Sequence, residues 1–320
     1  MGIKNLLKFL YNFPNIIKTK KISDLYGKKI AIDISILLYQ SVISVRRKGY
    51  DLKNNNNMII SHIVGLLNKT LLLLKYGITP IYIFDGKPSS LKKNILKTRT
   101  SIKQKSYDQY INATNEIDRI RFFKRCVSIT KEQMDDCREL LSLMGIPYIN
   151  AIEEADSELA YLCKNNLVYA VMTEDMDILT FGAPRIIRNM LSFKPLIEIN
   201  LQDILENCKL TYEEFVELCI YFGCDYYSNN NNISNMDIYN KYINNKEQYN
   251  NRMQNNEYLH AKKYFIETKS NIENYNLELK EPKYDDLYNL LLTKYDIPIT
   301  KIKYKLNKLY NTKKIDFVNI

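Results

Sequence analysis

The sequence predicts an α/β fold in which a mostly parallel central sheet is flanked by helices. Three short runs are apolar and rich in β-forming residues but do not alternate with polar residues, which is typical of strands buried on both faces of a parallel sheet. Longer stretches of helical character separate these runs, and strand–helix alternation indicates an α/β architecture. The chain has 320 residues, of which 46% are apolar, so it can bury a sizeable core.

The predicted strands are the runs at 29–32, 81–84 and 168–172. Between them, residues 61–76 and 155–165 have the length and pattern of helices. A shorter strand is expected just before the second helix, at 145–149, and the chain beyond residue 200 is expected to be helical.

Residues 86–130 depart from this pattern, because they are rich in Lys, Arg and Gln and offer few core positions. We expect helices that project from the core, and an ordinary solvated pair of helices is the alternative. The Asn runs at 54–57 and 229–232 predict surface loops, since Asn favours turns and tolerates left-handed backbone.

Charge and composition narrow the function classes. The net charge of +10 and pI of about 9.0 suit a polyanionic partner, although an A+T-rich genome would also enrich the chain in Lys. Six scattered cysteines without a C-x-x-C pair predict free thiols in a reducing compartment and argue against structural zinc. The sequence has only two histidines, which argues against a Ser-His-Asp or Cys-His catalytic site, and it contains no glycine-rich phosphate-binding loop. We expect no signal peptide, membrane span or membrane partner.

An aspartate follows each of the three predicted strands: Asp33, Asp85, and Asp175 with Asp177. Ligands of open parallel sheets bind outside the carboxyl ends of the strands, so we expect these side chains to meet in one crevice. Asp175 and Asp177 are two residues apart and therefore face the same side of an extended segment.

Two further segments add acidic residues. The run at 153–158 opens a predicted helix, where helix capping and the helix dipole account for some of the acids. Asp225 follows an apolar helix. So many carboxylates cannot share a crevice while ionised unless cations neutralise them, and hard divalent ions, Mg²⁺ by default, suit oxygen ligands. Two such ions about 4 Å apart would clamp a phosphodiester for in-line attack. Any single Asp is explained by a turn, but the whole set predicts a metal-dependent nuclease.

Six strings of residues in order carry a family resemblance: MGIKNL at 1–6, AIDIS at 31–35, FDGKP at 84–88, LSLMGIPY at 141–148, TEDMD at 173–177 and CIYFGCDY at 219–226. Together they resemble the flap endonuclease family of structure-specific 5′ nucleases, with TEDMD the most specific string. A weaker likeness continues through 280–282. The resemblance implies a PIN-like 5′ nuclease fold.

The resemblance implies that seven carboxylates hold two Mg²⁺ ions, which Mn²⁺ can replace: Asp85 and Glu154 at one ion with Asp33 acting through water, Asp175, Asp177 and Asp225 at the other, and Asp156 between the two. The family usually has Glu at the position of Asp156. Because Asp is one methylene shorter and keeps the charge, the coordination geometry is expected to shift slightly.

Lys92 and Arg99 match the family's two basic catalytic positions, which offset charge on the scissile phosphate. They are seven residues apart and so share one helix face, although an ordinary solvated basic helix would contain them too. The resemblance further implies substrate contacts by Gly2, Tyr39, Arg46 and Lys87. Tyr39 looks like the residue that stacks on the base beside the cut, and a core tyrosine is the alternative.

The resemblance divides the chain into a nuclease core at 1–200 and a helical duplex-binding region with a C-terminal tail at 201–320. Within the core, residues 86–130 would be a helical arch through which a 5′ single strand threads, and their basic and aromatic residues suit that strand.

The chain departs from the family at two places. The stretch at 228–236 lacks the glycine of the family's duplex-gripping hairpin. Asn can replace glycine in left-handed backbone, so a hairpin fits, but close approach to phosphate and a bound potassium ion stay open. The segment at 315–318 is at most a degenerate form of the family's sliding-clamp motif.

Three functions follow. The leading hypothesis is a monomeric flap endonuclease that removes 5′ flaps from branched DNA in replication and repair, located in the nucleus, or in the cytoplasm for a viral protein. The alternatives are a 5′–3′ exonuclease with weak structure preference and a nucleic-acid-binding protein that has lost catalysis. Retention of all seven acidic positions argues against the last.

Overall fold

In the part of the chain that the structure describes, seven strands form one mixed sheet. The computed structural model describes residues 2–46, 49–87, 92–190, 194–227, 233–245, 256–267 and 275–297. The strands are β1 (Ile17–Lys20), β2 (Lys29–Asp33), β3 (Thr79–Phe84), β4 (Tyr148–Asn150), β5 (Ala170–Met172), β6 (Arg185–Arg188) and β7 (Leu196–Asn200). Across the sheet the strands follow the order β1-β7-β6-β5-β2-β3-β4. Strands β2 to β6 pair in parallel, whereas β7 pairs antiparallel with β6 and with β1.

The predicted fold class is confirmed, since the three predicted apolar strands correspond to β2, β3 and β5 and the shorter one to β4. Strands β1, β6 and β7 were not predicted. They are short, and charged residues such as Lys18 and Glu198 interrupt them, so no continuous apolar run marks them in the sequence. Glu198 is nevertheless only 3% exposed, because it accepts a hydrogen bond from the Tyr169 hydroxyl (2.9 Å) and lies near Lys20 and Arg185.

The helices of the described residues are α1 (Leu6–Leu10), α2 (Ile34–Arg46), α3 (Ser61–Lys75), α4 (Lys93–Ile111), α5 (Glu116–Arg125), α6 (Lys131–Leu143), α7 (Ala155–Lys164), α8 (Leu201–Cys208), α9 (Tyr212–Phe222), α10 (Asn235–Asn244), α11 (Asn256–Glu267) and α12 (Tyr284–Asn289). Short turns of 3₁₀-helix occupy Ile22–Leu25 and Asp177–Leu179, and a π-helical turn, Leu290–Lys294, continues α12. Both α6 and α9 begin with capping boxes, at Thr130 and Thr211.

Helices cover both faces of the sheet. Ala31, Ile81 and Ile83 pack toward α1 and α7 to α11, while the alternating residues Ile30 and Tyr82 pack toward α2, α3, α6 and α12. Burial on both faces explains why the central strands carry continuous apolar runs rather than alternating ones.

Helices α4 and α5 lie in the part of the chain where projecting helices were predicted. They pack against each other, and among the described side chains of this pair only Ser106 is buried. Aromatic side chains join the two helices, since the rings of Tyr110 and Phe123 stack with centroids 5.0 Å apart. We call this pair the arch helices.

The expectations about the cysteines, the Asn runs and membrane helices can also be compared with the structure. All six cysteines lie in the described residues and none forms a disulfide, as predicted. The loop at 54–57 is at the surface and Asn57 adopts a left-handed backbone, with φ of 62°. No helix of the described ranges has the length and apolar character needed to cross a bilayer. Residues 228–232 of the glycine-free stretch and the segment at 315–318 lie outside the described residues.

Candidate active site

The strand order brings four acid-bearing strand ends together. From β2 the chain moves to β3 and β4 on one side, and then returns to place β5 on the other side of β2. Asp33 ends β2, Asp85 follows β3, and Glu154 and Asp175 come shortly after β4 and β5. Reversals of strand order of this kind open a crevice at the carboxyl ends of the strands, which is where such sheets bind ligands.

One side of the crevice is built from Asp33 and Asp85. Asp33 Oδ1 accepts hydrogen bonds from the backbone N–H groups of Ser35 (2.7 Å) and Ile36 (3.3 Å), which caps α2. The Ser35 hydroxyl donates to Asp85 Oδ2 (2.8 Å), and Asp85 Oδ1 accepts from the N–H of Ala155 (3.0 Å). Each acid is thus held by a helix start. Ser35 was not predicted as a site residue, although a hydroxyl two residues after a strand-terminal Asp is a usable signal.

Gly86 brings the loop before Glu154 close to the end of β3. Its N–H donates to the carbonyl oxygen of Glu153 (2.6 Å). A Cβ at this position would overlap the carbonyl oxygens of Ala151 and Ile152, so only glycine permits this approach. Gly86, which follows Asp85, therefore also helps to position a second acid, Glu154.

The other side of the crevice is built from Asp175, Asp177 and the start of the chain. Asp177 is 2% exposed, and its Oδ1 has no hydrogen-bond partner among the described residues. Gly2 has a φ of +80°, and a Cβ there would overlap Asp175 Oδ1. Gly2, predicted as a substrate contact, therefore lies directly against the acids, in a place that a larger residue cannot occupy.

The arch helices direct two cations into the crevice. Lys92, which precedes α4, places Nζ 2.6 Å from Glu154 Oε2 and 3.6 Å from Asp156 Oδ2. The Arg99 guanidinium pairs with the carboxylate of Asp225. Both predicted catalytic cations thus lie on the acidic cluster, Lys92 at the N-cap of α4 and Arg99 within the helix.

Two of the remaining predicted substrate contacts, Tyr39 and Arg46, touch the arch helices. Tyr39 is half-buried, and Lys103 of α4 donates to its hydroxyl (3.1 Å) and lies 5.3 Å from its ring centroid. Arg46 forms a two-pronged ion pair with Asp51 (2.8 and 3.1 Å) and lies 4.1 Å from the Phe123 ring, so it ties α2 to α5. The Lys87 side chain is exposed. Lys103 was missed because nothing in the sequence relates it to Tyr39.

The crowded negative charge of the crevice shifts the pKa values of several of its side chains. Burial, reinforced by Asp85 and Asp156, raises the pKa of Asp33 well above its usual range. Burial likewise raises the pKa of Asp156 to about 7, and that of Asp177 well above normal. For Lys92, burial alone would lower the pKa, but the adjacent carboxylates raise it overall. The crevice therefore holds more negative charge than its own cations neutralise.

The donors suit hard divalent cations, since they are carboxylate oxygens and the buried Asp177 Oδ1 lacks a partner. As the side chains stand, no three His, Cys, Asp or Glu groups of the described chain are close enough together to hold one ion. In this arrangement Lys92 pairs with Glu154 and Asp156, and Arg99 pairs with Asp225.

Two domains of a known protein family match parts of this chain. The XPG N-terminal domain matches residues 1–106, and the XPG I-region matches residues 145–225. Flap endonuclease 1-A of Oryza sativa subsp. japonica is 43% identical over 235 residues, which are 71% of this chain and 62% of that protein. The chain thus spans about three fifths of the length of this curated relative.

Solved structures share the fold along nearly the whole chain. Flap endonuclease-1 from Methanococcus jannaschii superposes with a TM-score of 0.76 and 30% identity, covering 95% of this chain and 98% of that one. The catalytic core of Rad2 in complex with DNA substrate superposes with a TM-score of 0.72 and 22% identity, covering 96% and 100%. The sequence identity, the matched domains and the shared fold together establish that the chain belongs to the flap endonuclease family.

Proposed function

We propose that this protein is a divalent-metal-dependent nuclease that removes 5′ flaps from branched DNA during replication and repair. One observation carries the proposal: acids from five separate segments surround a crevice that also receives two cations, Lys92 from the N-cap of α4 and Arg99 from α4 itself. Carboxylates alone would suit many metal enzymes. Carboxylates beside Lys and Arg suit a phosphodiester substrate, because the two cations can neutralise its negative charge.

DNA is the partner that the charge distribution supports. The chain has a net charge of +10 although its crevice is acidic, so the excess positive charge is carried by residues other than the crevice acids and suits a polyanionic partner. Lys92, Arg99 and Lys103 form a row along α4 that a backbone entering the crevice would pass. The structurally similar Rad2 core binds a DNA substrate.

Seven carboxylates would hold the metal ions, for which we propose two Mg²⁺ with Mn²⁺ as a substitute: Asp33, Asp85, Glu154, Asp156, Asp175, Asp177 and Asp225. When bound, such ions neutralise the carboxylates and polarise the scissile phosphate. The chain's own contribution is rigidity, since Asp33 and Asp85 already accept hydrogen bonds from helix starts.

Lys92 and Arg99 would exchange partners during the reaction. In this structure Lys92 and Arg99 pair with carboxylates that would otherwise bind the metal ions. With metal and DNA present, their charges become available to the phosphate, where negative charge develops in the transition state. Tyr39 would stack on the base beside the cut, with Gly2, Arg46 and Lys87 as further contacts.

We propose that the arch helices, which belong to a nuclease core at 1–200, surround a 5′ single strand. The helical region at 201–320 would contact the duplex away from the cut. We also propose that the protein works as a monomer in the nucleus. Imaging of a tagged chain and sedimentation of the purified protein test these two statements.

Cleavage of a labelled double-flap DNA, with and without Mg²⁺, tests the proposal. We expect a product cut near the junction with Mg²⁺, and no product with chelator. A recessed blunt duplex is the matched substrate, and equal rates on both would favour the exonuclease alternative. If Asp175→Ala left every activity unchanged, catalysis at this crevice would be wrong and the binding-protein alternative would stand.

A further inference from the structure

Tyr226 lies next to Asp225 in a tight turn that directs consecutive side chains to two different partners. The turn closes through hydrogen bonds between the backbones of Cys224 and Tyr227 (2.9 and 3.3 Å). Asp225 reaches Arg99, whereas the Tyr226 hydroxyl donates to Glu154 Oε2 (2.9 Å). The turn therefore supplies one acid of the cluster, Asp225, and contacts another, Glu154.

Tyr226 contacts an acid and a cation at once. Glu154 Oε2 accepts from the Tyr226 hydroxyl and also pairs with Lys92 Nζ, 2.6 Å away. The same Lys92 Nζ lies 5.3 Å from the centroid of the Tyr226 ring, within cation–π range. One side chain thus limits the orientation of the Glu154 carboxylate and the position of the Lys92 ammonium.

The ring of Tyr226 is itself held by the C-terminal helical region. Tyr264 and Phe265 of α11 pack against it with centroids 4.7 and 5.2 Å away. Phe181, which follows the turn that begins at Asp177, packs against the same two rings at 5.7 and 5.1 Å. This aromatic cluster joins segments that carry Glu154, Asp177 and Asp225 to α11.

We propose that Tyr226 is a positioning residue that orients Glu154 and Lys92, with α11 as its support. The inference rests on the proposed function and assigns within it a role to the C-terminal helices beyond duplex contact. Partners of metal-binding side chains commonly change metal affinity or activity by about 10- to 100-fold when removed. Tyr226 acts through Glu154 and Lys92, so it need not touch substrate.

Tyr226→Phe is the sharpest test, because it keeps the ring and its packing and removes only the hydroxyl. We expect Tm without metal and flap-DNA affinity close to wild type. The Mg²⁺ concentration for half-maximal thermal stabilisation should rise, and the single-turnover cutting rate should fall, each by about 10-fold or more. Tyr239→Phe is the matched control, since it removes a hydroxyl that donates to the Cys208 carbonyl (3.0 Å), and it should leave both unchanged.

A double-mutant cycle separates positioning from a general packing effect. In a Glu154→Gln background, Tyr226→Phe should cause less than about a 3-fold further change in the half-stabilising Mg²⁺ concentration, because residues that act through one contact are not additive. Wild-type Mg²⁺ dependence and cutting rate in Tyr226→Phe, or full additivity in the cycle, would overturn the proposal. The thermal shift with Mg²⁺ does not depend on cutting, so it tests Tyr226 even if flap DNA is not the substrate.

Discussion

The acid-bearing strand ends and the arch helices form the two sides of one site, but they are built in opposite ways. Asp33 and Asp177 extend from elements buried on both sides and are 8% and 2% exposed. The arch helices α4 and α5 bury only Ser106 among their described side chains and contact the crevice through charge. A rigid acidic side thus faces a cationic side with little core of its own.

The contrast teaches where function and stability reside. Buried carboxylates are energetically costly without metal, so the core must tolerate them for the sake of the site. The arch helices contribute few apolar contacts, and segments with few such contacts open most easily. Removing a buried acid should therefore lower activity but raise the stability of the metal-free protein. A substitution in the arch helices should instead change activity with little effect on stability.

The largest expected effect is that of Asp177→Asn. Removing this carboxylate should slow cutting by on the order of 10³-fold or more, since it takes a buried charge from the transition-state environment. Without metal, the variant should unfold at a higher temperature than wild type, because burial and neighbouring acids disfavour the Asp177 charge. Asp286→Asn, at an exposed position of α12, is the control. Retained activity would remove Asp177 from the proposed metal site.

Lys92→Ala should produce the next largest effect. We expect cutting to slow by about 10²- to 10³-fold while the Kd for flap DNA changes by less than about 3-fold, since transition-state contacts act on rate. Lys97→Ala, with an exposed side chain on the same helix, should alter rate only slightly. Single-turnover kinetics and fluorescence anisotropy measure the two quantities. Equal losses in rate and binding would contradict a catalytic role for Lys92.

A pair of apolar truncations sharpens the comparison of stability. Leu140→Ala in α6, where Leu140 is fully buried, should lower the free energy of unfolding by about 2–5 kcal/mol. Ile117→Ala in α5, where Ile117 is 82% exposed, should change it by less than about 0.5 kcal/mol. Urea unfolding monitors both. A large loss at Ile117 would show that α5 has core contacts absent from this structure.

The smallest predicted effect is a pH dependence of the metal-free protein. The pKa of Asp156 rises from 3.8 to about 7 on folding, so between these values the folded state binds more protons than the unfolded state. Stability should therefore fall as pH rises through this window. Asp156→Asn should flatten the fall by on the order of 1 kcal/mol, or about 2–4 °C in Tm. Thermal unfolding in chelator from pH 5 to 8 checks it, and an unchanged slope would contradict the burial of a charge at Asp156.

Sequence reasoning recovered the parts of the fold whose signal is local. The apolar runs of β2, β3 and β5 reflect burial on both faces, and the aspartates that follow them locate the crevice. Strand β1 was missed because Ile17–Lys20 alternates lysines with Ile and Thr, and strand β7 because Glu198 interrupts its apolar run. Their pairing depends on register with each other, which no local pattern encodes.

The residues of the site likewise divide into those that the sequence predicts and those that it does not. Residues carried by short strings, such as Asp33 and Asp177, could be named from the sequence, and their placement follows from parallel strand ends. Lys103 and Tyr226 could not be assigned to the site, because they act through partners 64 and 72 residues away in the chain. Ser35 was overlooked, although its hydroxyl two residues after Asp33 was a usable signal. Contacts of this kind arise only from tertiary packing, since spacing along one helix or strand does not specify them.

Anomalous diffraction from crystals grown with Mn²⁺ tests the central claim most directly. We predict manganese peaks in the crevice between β5, β2 and β3, at about 2.0–2.2 Å from carboxylate oxygens of the seven predicted acids. Lys92 and Arg99 should have moved away from Glu154 and Asp225 in the same crystals. Manganese bound elsewhere, with the ion pairs of the crevice intact, would contradict the claim that these acids hold the catalytic metal ions.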